Sequence, residues 1–284
     1  MRLTKHQGWG NDFLIWLEKG RAVPIEAENI QRLCDRHTGV GADGLVRATP
    51  TDDASVDAAM DLYNADGTRA EMSGNGVRCL VQALLLEGWA APPEAVVATD
   101  AGVRKVYVLD EPLRSPEGMM THALAVDMGE VLVGPDALDW ALAPSGRAVW
   151  VDTGNPHVVI EATGLLELET IDLAELGRKL DAAIPEGANV HVMAPGPEPG
   201  GVTLRSYERG VGLTKACGTG ACAAAAVARR WGWFEGEASD GVADDADRTV
   251  AVQMEGGRAE VTLGETVRLT GPATAVAAID YPWP

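Results

Sequence analysis

The segment Thr214-Lys215-Ala216-Cys217-Gly218-Thr219-Gly220-Ala221-Cys222 runs into a string of alanines. Half a chain earlier, Glu71-Met72-Ser73-Gly74-Asn75-Gly76-Val77-Arg78-Cys79 runs into an equally apolar stretch. Each sets a hydroxyl or thiol before Gly-x-Gly and then a helical pattern. Ser73 and Cys217 are 217 − 73 = 144 residues apart in a chain of 284, close to half its length, so the simplest reading is two structurally equivalent halves, each presenting one such loop at a helix start. The glycines let the backbone turn sharply and leave the first helical N–H groups uncovered, a natural seat for a carboxylate. A thiol at that position is expected to feel the positive helix end, which lowers its pKa. Two such turns facing one carboxylate would set a proton-transferring group on each face of the carbon beside it.

At 46% hydrophobic residues over 284 positions the chain can build one large or two ordinary domains. A formal charge of −19 and a pI near 4.6 argue against a nucleic-acid backbone or an anionic membrane as partner. No apolar run approaches the ~18 residues of a membrane span, and Met1-Arg2-Leu3-Thr4-Lys5-His6 has no apolar signal core, so a cytoplasmic protein is expected. The four cysteines, Cys34, Cys79, Cys217 and Cys222, form no C-x-x-C pair and meet no histidines at zinc spacing, so thiols and no metal site are expected. Cys34, Cys79 and Cys222 sit in helical patterns and read as packing residues.

Periodicity places strands at 3–7 and 13–17 around a tight turn that projects Asn11, then a helix over 26–36. Gly39-Val40-Gly41-Ala42-Asp43-Gly44 matches G-x-G-x-x-G, but a helix precedes it and a strand follows, the reverse of a dinucleotide fingerprint; it reads as a shaped loop beside the active site. A strand at 56–63 leads to Asn64-Ala65-Asp66-Gly67, a turn that can aim the Asn64 amide inward. The helix after Ser73 is apolar around much of its circumference and should be buried on most sides. Strands at 95–98 and 103–109 close the first half, and Pro112, Pro116 and Gly118 mark a boundary. The second half repeats the pattern, with strands at 123–126, 130–133, 148–151, 158–160 and 202–207, a turn at 186–189 leading into a further strand, a helix over 173–180, and a second central helix over 221–229. An acidic stretch, 238–247, reads as a solvated loop before strands at 250–254, 259–263 and 267–270. Two apolar helices flanked by many short strands indicate an α+β fold in which sheets wrap helices.

The motifs Gly8-x-Gly10-Asn11-Asp12-Phe13, Arg36-His37-x-Gly39-x-Gly41-Ala42-Asp43-Gly44, Asn64-x-Asp66-Gly67, Gly74-Asn75-Gly76-x-Arg78-Cys79, Gly154-Asn155-Pro156-His157 and Glu208-Arg209-Gly210-x-Gly212, the last leading to Ala216-Cys217-Gly218-Thr219-Gly220, together resemble diaminopimelate epimerase. The resemblance implies an isomerase that works without pyridoxal phosphate or any other cofactor and interconverts LL- and meso-diaminopimelate in lysine and peptidoglycan precursor synthesis. It implies two pseudo-symmetric domains, 1–117 with 265–284 and 118–264, each a mixed, mostly antiparallel sheet around a central helix, with the active site in the cleft between them and a homodimeric assembly. By that resemblance Ser73 and Cys217 are the acid/base pair, and His157 and Glu208 set their protonation. Gly74, Asn75, Gly218 and Thr219 would hold the reacting end, and Asn11, Asn64, Asn155, Asn189 and Arg209 the distal end. The residue chemistry agrees: a substrate with two zwitterionic ends needs amides for orientation and a guanidinium for the distal carboxylate.

Ser73 stands where the family carries its first catalytic cysteine. An alcohol is a far weaker acid than a thiol, whose reference pKa is ~8.5, so Ser73 does not rest as an anion near neutrality. Three readings follow: an engineered, nearly inactive enzyme; a natural Ser/Cys pair in which Ser73 relays a base or only donates to a carbanion; or drift to another amino acid or to one-base chemistry. An inactive binding protein is the alternative from another class, and Cys217, His157 and Glu208 speak against it, since binding alone requires no thiol at a helix start. No lysine stands out as a Schiff-base site.

Overall fold

Trp9 and Gly10, with φ of 56° and 82°, make the first turn. Positive φ at both central residues is what a two-residue type I′ hairpin turn demands, and it sets Gly8 opposite Asn11 between β1 (Arg2–Gly8) and β2 (Asn11–Leu17). The computed structural model describes residues 1–20, 24–115, 118–136, 146–185, 187–234 and 247–282. These divide into two compact units, Met1–Asp127 with Gly271–Pro284, and Met128–Thr270.

In the first unit, α1 (Ala27–Cys34) buries Ile30, Leu33 and Cys34 and leads to β3 (Gly44–Thr49), parallel to β2. Next come β4 (Ala58–Asn64), antiparallel to β3, and the two-residue β5 (Arg69–Ala70), antiparallel to β4. α2 (Gly74–Glu87) intervenes before β6 (Glu94–Thr99), which returns parallel to β4. β7 (Gly102–Val108), β8 (Leu113–Arg114) and β9 (Met120–Gly129) complete this part, with β9 pairing antiparallel to both β7 and β8.

In the second unit, β10 (Leu132–Asp136), β11 (Ala148–Asp152) and β12 (Pro156–Glu161) pair antiparallel in turn. α3 (Leu165–Thr170) and α4 (Leu173–Ala183) cross over to β13 (Asn189–Pro195), parallel to β12. β14 (Val202–Glu208) and β15 (Gly212–Thr214) follow antiparallel, and then α5 (Gly218–Arg230). β16 (Arg248–Met254) returns parallel to β14, β17 (Gly257–Leu263) pairs with β16, and β18 (Val267–Asp280) pairs with β17 and then with β1.

The order of pairings is the same in both units. β1 to β7 run antiparallel, parallel across a helix, antiparallel, antiparallel to a short strand, then parallel across a central helix; β11 to β17 repeat that order. The central helices are the most enclosed elements: α2 is buried from Gly74 through Leu84, and α5 from Gly218 through Ala225. Ala223, Ala224 and Ala225 keep α5 thin. α1 packs on Leu3, Leu14 and Leu45, while α4 packs Leu176 and Leu180 on Val158, Ile160, Val190 and Val192. Gly177 lets α4 approach β14, because a Cβ there would lie 2.3 Å from the Tyr207 ring.

Several expected boundaries move. The helix expected over 26–36 spans only Ala27–Cys34, since the Asp35 carboxylate accepts the His37 and Thr38 N–H groups at 2.8 and 2.6 Å and bends the chain away. α3 had no sequence expectation, being a single short amphipathic turn and a half. The strands expected at 123–126 and 130–133 are one continuous β9 and a shifted β10, and the last strand does not stop at 270 but continues to Asp280. Residues 238–246 of the acidic stretch, Pro116 and Glu186 lie outside the described residues. Among the described residues no helix is long and apolar enough to cross a membrane.

Candidate active site

Both motif loops deliver the same local structure. Ser73, in extended backbone conformation, is the N-cap of α2, its Oγ accepting the Gly76 N–H at 3.0 Å. Cys217 is the N-cap of α5, its Sγ accepting the Gly220 N–H at 3.3 Å. A side-chain acceptor at the N-cap satisfies one of the helix's orphan donors, while the first N–H groups still have no partner within the helix. Each unit therefore presents a hydroxyl or thiol beside a positive helix end, with Gly74-Asn75 following in one and Gly218-Thr219 in the other.

Cys217 is buried, and its titration departs from the sequence expectation. Burial first and the neighbouring Glu208 charge second push the thiol well above its ordinary pKa, outweighing the stabilisation of the thiolate by Thr219 Oγ1, 3.4 Å away, and by the Gly220 N–H. The helix start thus does not leave a resting thiolate. Cys217 rests as an acid whose proton faces the Glu208 carboxylate, and Thr214 donates its hydroxyl to Glu208 Oε1 at 2.6 Å, fixing that carboxylate. The remaining cysteines are packing residues: burial pushes Cys34 and Cys79 up to about 12, and Cys222 is fully enclosed.

His157 lies at the start of β12 and is fully buried. Its Nδ1 is 2.8 Å from His191 Nε2, and its Nε2 is 2.8 Å from Asn155 Oδ1 and 2.9 Å from Thr153 Oγ1. Burial, His191 and Arg209 hold its pKa well below the ordinary histidine value, so it is neutral near neutrality. Asn189 stands in register with His157 across the parallel β12/β13 pair, where its Oδ1 accepts the Arg209 N–H at 3.0 Å and its Nδ2 donates to the Pro156 carbonyl at 3.3 Å. His157, Asn155, Asn189, Glu208, Arg209, Cys217, Gly218 and Thr219 are thus linked within one unit.

In the first unit the amides are wired in series. Arg78, fully buried and stacked 4.2 Å from the Trp9 ring centroid, donates to Asn75 Oδ1. Asn75 Nδ2 donates to Asn11 Oδ1 at 3.1 Å, and Asn11 Nδ2 donates to Asp43 Oδ2 at 2.8 Å. The G-x-G-x-x-G loop therefore serves as a carboxylate support: Arg36 bridges Asp12 and Asp43 at 2.6 and 2.7 Å, and Lys5 joins Asp12 at 2.8 Å. Asn64 stands apart from this chain, its Nδ2 donating to Thr68 Oγ1 at 3.0 Å within its own turn. The sequence alone assigns no role to Arg78, Asp43, Thr214, Ser206 or His191. His191 carried a signal, since it alternates with Asn189 and so lies on the same face of β13. Among the described residues no group of three His, Cys, Asp or Glu is placed to hold a metal ion.

Solved structures share this fold. A hydroxyproline epimerase from Agrobacterium vitis matches 98% of this chain and 91% of its own with a TM-score of 0.69 at 18% identity. A probable proline racemase from Agrobacterium radiobacter matches 99% and 92% with a TM-score of 0.70 at 16% identity. The doubled fold carries a hydroxyl or thiol N-cap in each half, and the protein is an isomerase, an epimerase. The chain belongs, more narrowly, to the diaminopimelate epimerase family, whose family model matches residues 3–132 and 149–276. Diaminopimelate epimerases of Alkalilimnicola ehrlichii and Mycobacteroides abscessus are each 35% identical to it, covering 97% and 98% of this chain and 96% and 95% of theirs. That of Halorhodospira halophila is 32% identical over 97% of this chain and 93% of its own.

Proposed function

We propose that the protein interconverts LL- and meso-diaminopimelate, for lysine and peptidoglycan precursor synthesis, with Cys217 taking the α-proton on one face and Ser73 delivering another on the opposite face. The observation that carries this reading is the pair of equivalent N-caps in a chain of this family. The α-carboxylate accepts N–H groups from the helix starts at Gly74-Asn75 and Gly218-Thr219, where negative charge grows as the α-carbon loses its proton. Fixed dipoles aimed at developing charge lower that barrier without reorganising.

Cys217 needs a partner, because its thiol is protonated at rest. Glu208 takes that proton when Cys217 acts as base, and the thiol gives its own proton when Cys217 acts as acid. Ser73 acts as the donor hydroxyl on the opposite face and takes its proton back from solvent before the next turnover. His157 is not its base, as both ring nitrogens are committed within the second unit. Arg209 with Asn11, Asn64, Asn155 and Asn189 grips the distal amino-acid end, a guanidinium for the carboxylate and amides for orientation.

Ser73 favours a second reading, one-base exchange at Cys217 without inversion. Chiral separation of products from LL-diaminopimelate, with L-proline and trans-4-hydroxy-L-proline as controls, tests the assignment. Meso product from LL-diaminopimelate alone supports it, and turnover of a cyclic imino acid in preference would overturn the substrate.

A further inference from the structure

Ser206, His191, His157 and Asn155 form a hydrogen-bonded file inside the second unit, and two of its members, His191 and Ser206, have no part in the chemistry above. His191 Nδ1 lies 2.9 Å from Ser206 Oγ, its Nε2 lies 2.8 Å from His157 Nδ1, and His157 Nε2 lies 2.8 Å from Asn155 Oδ1. Both rings are fully buried and stack at 5.0 Å between centroids.

The chemistry of the last acceptor gives the file a direction. An amide oxygen can only accept. The one Thr153 hydroxyl proton goes to Asn155 Oδ1 at 2.9 Å, so Thr153 Oγ1, 2.9 Å from His157 Nε2, does not donate to that nitrogen, and Nε2 carries the hydrogen that faces both oxygens. A neutral imidazole has one N–H, and His157 is held neutral by burial. Its Nδ1 must therefore accept, which makes His191 Nε2 the donor. His191, its pKa pushed by burial to about 3, is neutral as well, so its Nδ1 accepts from the Ser206 hydroxyl. Every proton in the file points toward Asn155.

We propose that His191 is a positioning residue that, backed by Ser206, locks His157 in its Nε2–H tautomer and thereby pins the Asn155 amide with its oxygen inward. What Asn155 then offers a substrate is its N–H pair, a donor suited to a carboxylate. Without the lock, His157 can place its hydrogen on Nδ1, and Asn155 keeps only the Thr153 hydroxyl of the two donors that set its orientation. The inference rests on the reading above in one respect, that Asn155 contacts the substrate.

The test combines nitrogen chemical shifts of the histidine rings with steady-state kinetics on His191→Gln, His191→Leu and Ser206→Ala. In the wild type, His157 should carry its proton on Nε2. His191→Leu should lose that single tautomer and raise KM for LL-diaminopimelate about tenfold, or ~1.4 kcal/mol, with kcat within about twofold. His191→Gln should restore both, because glutamine can donate to His157 and accept from Ser206. Ser206→Ala removes only the far donor and should mix the tautomers of both rings in a protein that folds normally, which keeps the test open if His191→Leu does not fold. A wild-type His157 protonated on Nδ1 would overturn the proposal, and so would an unmixed His157 tautomer in Ser206→Ala or a Gln variant no better than the Leu variant. The correct tautomers without any epimerisation would overturn the functional reading and leave the lock standing.

Discussion

Gly76 and Gly220 occupy the same place in the two central helices, each donating its N–H to the N-cap side chain, yet alanine should be tolerated at one and not the other. A Cβ at Gly220 would sit 2.3 Å from His191 Cε1 and 2.8 Å from its Nε2. The ring cannot swing aside, being fully buried and bonded at both nitrogens. Overpacking on that scale costs ~1–3 kcal/mol, and less than the ~1 kcal/mol helix gain of alanine over glycine is recovered in a first turn. The net expectation is a loss of about 2 kcal/mol. At Gly76 the nearest atom to a new Cβ would be Ser73 Cβ at 3.2 Å, a contact that a few tenths of an ångström relieve, so Gly76→Ala should change stability by less than ~0.5 kcal/mol. Urea unfolding of both variants, and of Gly220→Ala in a His191→Ala background, measures this. The penalty should largely vanish in that background, a coupling of about 2 kcal/mol. Gly220→Ala as stable as the wild type, or equally costly with and without the imidazole, would mean that the His191 ring does not set the penalty.

Ser73→Cys should raise epimerase turnover by at least about a hundredfold by supplying a proton donor of far lower pKa; unchanged turnover would mean that Ser73 is already a competent group or takes no part. Glu208→Gln removes a charge that pushes the Cys217 thiol up, so Cys217 alkylation near neutral pH should become faster even as epimerisation falls, and mapping of the alkylated peptide checks both. The depressed histidines predict acid sensitivity. In the unfolded chain His157 and His191 take up protons near 6.5, whereas in the fold His191 does so only at about 3 and His157 well below its ordinary value. The unfolded state then binds more protons as pH drops below 6.5, and stability falls by up to ~1.4 kcal/mol per pH unit for each ring. Above about pH 7 neither contributes. A urea midpoint flat between about pH 7 and pH 5 would contradict this.

The halves were legible because two loops of like chemistry recur at half the chain length, and because the helix after Ser73 is apolar around much of its circumference, as a helix buried on most sides is. The Trp9-Gly10 hairpin was legible from its turn residues. The two- and three-residue strands β5, β8 and β15 were not, since a bridge so short has no period to read. The acid/base candidates could be named from sequence, but not their charge states. A helix start alone argues for a thiolate at Cys217, and only the fold reveals that burial and Glu208, the last residue of β14, reverse it. His191 was hidden for a similar reason: a histidine in a strand reads as a packed residue until its ring is seen between Ser206 and His157.

The proposal that Cys217 and Ser73 serve opposite faces of one carbon is read out by early turnover of LL-diaminopimelate in deuterium oxide, following label in both product and recovered substrate. Two groups of separate proton history predict meso product carrying solvent deuterium while recovered LL substrate keeps its protium. Deuterium in the recovered LL substrate with no meso product would contradict that claim, leaving Cys217 as a single base and Ser73 outside the reaction.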